Sequence, residues 1–126
     1  MKMGIVACVV LTLLIILLTL FNFYLHKTVA STINEIEQAQ THIKNADYDN
    51  AAKNHKTAQN EWEKKERIYE LLIEQSELDQ INSLFSEADV LINEKRYTEY
   101  LLTSHKLCSF LNHISAENKV NLETIL

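Results

Sequence analysis

Proline is absent from the chain and glycine occurs once, at Gly4. Tight hairpins, phosphate-cradling loops and strained nucleophile turns all lean on those residues for positive φ or close backbone approach. Their scarcity sets aside sheet-rich folds and glycine-loop chemistry, and an all-α protein is expected. Positive charge is also short: 12 Lys and Arg face 17 Asp and Glu, a formal charge of -5. A groove that holds nucleic acid by neutralising phosphates has little to work with, so no nucleic-acid partner is expected. Of the two cysteines, Cys8 falls in a long apolar run and Cys108 far from it, so an intrachain disulfide would need the rest of the chain to lie against the membrane. At 126 residues there is room for one compact unit beside that run.

From Met3 to Leu25 no residue carries a formal charge. As a helix this stretch is about 34 Å long, enough for a bilayer core of about 30 Å. A cleaved signal peptide has a shorter apolar region that ends in a small-residue site, and Thr28-Val29-Ala30 is a weak version of one. Retention as a signal anchor is therefore expected. Ile5-Val6-Ala7-Cys8 has the look of a lipobox, but most of the apolar residues follow it, and no lipidation is expected. Lys2 with the terminal amine is weighed against Lys27 with His26. The expected topology is single-pass in the cell membrane, with the amino terminus cytoplasmic and the remaining residues extracytoplasmic.

All 17 acidic residues and 10 of the 12 basic ones come after Lys27, and apolar residues recur there at helical spacing. Val29, Ile33, Ile36, Gln40 and Ile43 step by 4, 3, 4, 3, the seam of a helix packed on another helix. Nothing breaks the chain between anchor and seam, so one helix is expected from about Gly4 to Asn45. Asn45-Ala46-Asp47 offers a turn with Asp47 as N-cap. A long second helix then carries Tyr48, Ala52, His55, Ala58, Trp62, Ile68 or Tyr69, and Leu72 on its inner side. A third follows Ser76, with Asp79 in a loose capping box, and presents Leu78, Ile81, Leu84, Phe85, Ala88, Leu91 and Ile92. After a turn at Asn93–Arg96, the fourth presents Tyr97, Leu101, His105, Cys108, Leu111 and Asn112.

Ile43–Tyr48 can be laid on Ile92–Tyr97 by a shift of 49 residues, which also sets Ala52 on Leu101 and Trp62 on Leu111. Two αα-hairpins of one kind follow. They are arranged either like a pair of tetratricopeptide units or as a plain four-helix bundle, since both need the same stripes and short connections. The expected division is an anchor over residues 1–27, an extracytoplasmic helical domain over 28–114, and an apolar tail or short helix over 115–126.

Gly4, Cys8, Thr12, Thr19 and Asn22 share an arc of about 80° on the anchor. Small and hydrogen-bonding residues are what helices in lipid use to associate, so this face is the candidate contact with a partner's membrane helix or a second copy. The competing view is that such hydroxyls bond their own backbone. Glu66, Glu70 and Glu74 repeat one charge at i,i+4 and would be relieved by a cation or a basic partner, whereas Glu61 with Lys65 and Glu63 with Arg67 form favourable pairs on a solvated face. Leu122, Ile125 and Leu126 give the tail an apolar edge suited to docking. His105 and Cys108 at i,i+3, with His113 beyond, have partial zinc spacing, but packing is the expected role because no four-ligand set is visible. Trp62 and Tyr69 are assigned to the core, and His42 and His55 to no site. No catalytic, cofactor or metal residue is assigned.

Glu61-Trp62 through Leu71–Ile81 and the ending Asn112–Leu126 make the chain similar to domain of unknown function family 4363, small single-span membrane proteins of spore-forming Firmicutes. The family often has a histidine near Gln75, absent here, and it has no established catalytic residues to carry over. The resemblance implies a polytopic membrane partner of the YetF type (domain of unknown function family 421). The expected function is a non-enzymatic accessory or interaction subunit. The alternative is an extracytoplasmic sensor or scaffold holding a peptide or cell-wall ligand in a helical groove, and a hydrolase ranks third.

Overall fold

With no residue to break it, the apolar run and the first amphipathic stretch form a single helix. The computed structural model describes residues 1–125, and the side chains of residues 1–115. Five helices follow one another: α1 Lys2–Lys44, α2 Tyr48–Lys64, α3 Glu66–Leu72, α4 Gln75–Asn93 and α5 Tyr97–Ile125. No strand occurs among the described residues. α5 runs without a break past Ser115, so Leu122 and Ile125 belong to the last bundle helix and not to a separate short one. Their side chains, and Leu126 altogether, lie outside the described residues.

α1 packs along α2 and α5, while α4 packs along α5 and more lightly against α2. That closed ring is a four-helix bundle, because tetratricopeptide units would instead set α1 beside α4. Val29, Ile33, Ile36 and Ile43 are buried along the anticipated seam, and Gln40 donates to Ser104 of α5 at 2.9 Å. Trp62 is fully buried, stacked on Tyr69 and Phe85 with ring centroids 4.4 and 5.7 Å away. Truncating such a side chain to alanine costs about 3–5 kcal/mol.

The long second helix expected from the sequence is broken at Lys65. There the chain turns so that Tyr69 can bury its ring and donate its hydroxyl to Thr28 of α1 at 3.0 Å. Ile73 is extended, and α4 begins at Gln75 with Glu74 as N-cap in place of Ser76. Neither Glu74 nor Asp47 caps with its side chain; Asp47 instead accepts from Asn50 at 2.7 Å. Ala51, not Ala52, faces inward on α2. On α5 the buried line is Tyr100, Ser104, Leu107, Leu111 and Ile114, whereas His105 and Asn112 are exposed.

The 49-residue repeat is present in the backbone. Ala46 and Lys95 both take positive φ, 58° and 62°. Their turns make the same three bonds: Asn45 N–H to Thr41 O, Ala46 to Ile43 and Asp47 to His42, matched by Glu94 to Val90, Lys95 to Ile92 and Arg96 to Leu91. Both are Schellman closures without glycine. Tyr48 and Tyr97, equivalent under the shift, stack on each other at 4.0 Å and 5°, as residues beside an internal two-fold axis must.

A left-handed alanine or lysine costs about 1–2 kcal/mol, and glycine's extra unfolded-state freedom offsets part of the relief. Ala46→Gly and Lys95→Gly should therefore each raise the unfolding free energy by about 0.5–1 kcal/mol, while Ala46→Val should lower it. Urea denaturation in mild detergent checks both directions.

Candidate functional site

Through residue 24, α1 touches almost nothing in the chain. An 18-residue window has mean hydropathy 3.0 and no buried residue. It is one helix long and apolar enough to cross a membrane. On the anticipated polar face, Thr12 Oγ1 donates to Cys8 O and Thr19 Oγ1 to Ile15 O, each at 2.8 Å. Both hydroxyl protons are thus used within the helix, which leaves close packing and the oxygen lone pairs for any neighbour. A Cβ added at Gly4 would meet nothing within 4 Å, so this chain itself does not require the glycine. Cys8 is exposed and Asn22 half-buried.

One residue after Tyr24 the surroundings change. Leu25 is 1 % exposed and Thr28, Val29 and Thr32 are buried. Thr28 accepts from Tyr69 and donates to Leu25 O at 3.0 Å, and His26 Nδ1 bonds Ser115 Oγ of α5. The bundle is therefore fastened to α1 directly at the end of the apolar run, by both α3 and α5.

The acidic trio does not form a stack. Glu66 and Glu70 lie on α3 and Glu74 beyond the extended Ile73. Glu66 accepts from Asn82 at 3.1 Å, and Asn82 in turn accepts from Trp62 Nε1 at 2.7 Å. The helix break also removes the anticipated Glu61–Lys65 and Glu63–Arg67 spacing; Glu61 accepts from Ser31 at 3.5 Å. His105 is exposed and Cys108 buried, so their i,i+3 spacing does not bring them together. Burial, reinforced by Glu37, pushes the Cys108 thiol up to about 12, which keeps it protonated and unreactive. Among the described residues no three His, Cys, Asp or Glu side chains are grouped as metal ligands.

A polar cluster that the sequence reading passed over lies where α2, α4 and α5 meet. His55 is 1 % exposed, its Nδ1 3.0 Å from the Tyr100 hydroxyl and its Nε2 3.7 Å from Asp89 Oδ1. Only Nδ1 is hydrogen-bonded, to the Tyr100 hydroxyl; Nε2 is buried without a hydrogen-bond partner among the described residues, the Asp89 carboxylate being the acidic group nearest it. A cleft of about 340 Å³, lined by Lys53, Lys56, Asp89 and Asn93 among others, opens beside it. Burial pushes the His55 pKa from 6.5 down to about 4, Asp89 opposing and Lys56 assisting. His55 is spaced seven before Trp62 on the same stripe, and that register was the only sequence signal for its burial.

Because His55 stays neutral in the folded chain to about pH 4 yet protonates near 6.5 when unfolded, unfolding takes up a proton between those values. Stability is complete above pH 6.5 and declines as pH falls toward 4, by about 3 kcal/mol. Urea midpoints measured from pH 7 to 4 should show this slope, and His55→Gln should flatten it.

A match to the family described as Domain of unknown function (DUF4363) covers residues 19–125. No curated protein and no solved structure matches the chain. The family match takes in the end of the apolar run, the Trp62 helix and the whole bundle, and on that extent the chain belongs to the DUF4363 family.

Proposed function

We propose that the protein is a non-enzymatic accessory subunit of a polytopic membrane protein, held by one span with its amino terminus cytoplasmic and its bundle on the outer surface of the cell membrane. The observation that carries this is the continuity of α1: one unbroken helix supplies both the exposed apolar length and the core stripe of the bundle. A membrane contact on its first half is thereby transmitted to a fixed orientation of its second half. Gly4, Cys8, Thr12, Thr19 and Asn22 offer a small-residue face to a neighbouring helix, from a YetF-type partner or a second copy.

The cleft beside His55 favours a second reading, a sensor or scaffold that takes a peptide or cell-wall fragment between the ammonium groups of Lys53 and Lys56 and the carboxylate of Asp89. The two readings separate by affinity purification of the tagged full chain in mild detergent, followed by quantitative mass spectrometry. A stoichiometric membrane protein should co-purify, and Thr19→Leu with Asn22→Leu should reduce it about tenfold, while Lys53→Glu with Lys56→Glu leaves it in place. Unchanged recovery in the first variant overturns the accessory-subunit proposal, and loss only in the second transfers support to the cleft.

A further inference from the structure

α3 has a side that the bundle leaves uncovered. At about 100° per residue, Ile68 and Leu71 lie about 60° apart on it, Leu72 turns from it toward the core beside Tyr69, and Glu66 and Glu70 lie round the opposite flank. Leu71 is 86 % exposed, more than any other described large apolar residue of the bundle, the next being Leu102 at 61 %. Its height is fixed by two contacts with α1: Tyr69 hydroxyl to Thr28, and Lys65 Nζ 5.7 Å from the centre of the Tyr24 ring. The uncovered side of α3 is thus set at residues 24–28, where the apolar run ends and the bundle core begins with no spacer between them.

Below Ile68 an apolar groove of about 400 Å³ runs down α1, lined by Leu17, Leu20, Phe21, Tyr24 and Ile68. Four of these five residues belong to the apolar run itself, so the medium around that run also fills the groove. We infer that α3 is a second membrane contact: it lies in the bilayer interface with Ile68 and Leu71 among phospholipid acyl chains, and one such chain occupies the groove against Phe21 and Tyr24. Lys65 and Arg67 flank the apolar arc at the level where long basic side chains extend to headgroup phosphates. The inference rests on α1 spanning the membrane, and it adds that the bundle is seated on the lipid at two points.

The test uses the full chain in phosphatidylcholine–phosphatidylglycerol vesicles with Cys8→Ala, Cys108 being buried. A nitroxide is attached in turn through Leu14→Cys, Leu71→Cys and Lys53→Cys, and its collisions with oxygen, enriched in lipid, are compared with those of a water-soluble nickel chelate. Oxygen should dominate several-fold at positions 14 and 71, and nickel at 53. Position 71 behaving like 53 while 14 remains lipid-like overturns the seating of α3 and leaves the span intact. Nickel dominating at both 14 and 71 overturns the span and the seating together. Lys65→Glu with Arg67→Glu supplies a second readout: oxygen access at 71 should fall at least twofold with 14 unaffected, and no change at 71 counts against the headgroup role of those cations.

Discussion

The continuity of α1 constrains everything else in this protein. A helix with neither proline nor an interior glycine beyond Gly4 has no place to bend at low cost, and here the same 43 residues supply both an exposed apolar length and a buried stripe of the bundle. Up to Tyr24 the helix carries apolar residues all round, interrupted only by Lys2 and by Thr12, Thr19 and Asn22 on one face. From Leu25 onward only one stripe is apolar, and that stripe is the wall on which α2 and α5 are built. The transition takes a single residue. Thr28 and Thr32 mark it chemically, because both hydroxyls bond their own backbone and so can be buried between apolar neighbours without an orphaned donor.

The bundle answers that constraint with two copies of one hairpin. Stripe, turn and stripe recur after 49 residues, down to the left-handed residue at each turn. What the copies do not share is chemistry. Where the first has His55 the second has Ser104, and where the first has Ala51 the second has Tyr100. The paired substitution places an imidazole against a phenol inside the bundle. A buried polar pair of this kind adds little net stability but penalises any slipped register that would separate its members.

Much of this was legible because it depends on period alone. The long apolar helix, the Val29-to-Ile43 seam, the two hairpins and the third-helix core of Leu78, Ile81, Phe85, Ala88 and Leu91 follow from apolar spacing, which tertiary packing then obeys. The break at Lys65 was not legible, since Glu61–Leu72 consists largely of good helix formers and holds no residue that stops a helix. It arises from a distant demand, the tie between Tyr69 and Thr28, that no local pattern records. The phase of α5 was misread for a related reason. Leu101, His105 and Asn112 gave a plausible stripe, but the chain buries Tyr100 and Ser104, whose polar atoms are satisfied by His55 and Gln40 on other helices. At the site level, the hydroxyl-bearing face of the first helix could be picked out from spacing alone. Sequence missed the His55 cluster because its members are 34 and 45 residues from the histidine, and it grouped Glu66, Glu70 and Glu74 on a helix that does not run through all three.

From Leu25 to the closing turn at Asn45, α1 rises about 30 Å at 1.5 Å per residue. The paired tyrosines at the two upper turns therefore mark a ceiling about one bilayer-core thickness above the end of the apolar run. On the proposed topology, whatever meets the bundle from the same side must keep a low profile or come down to that layer.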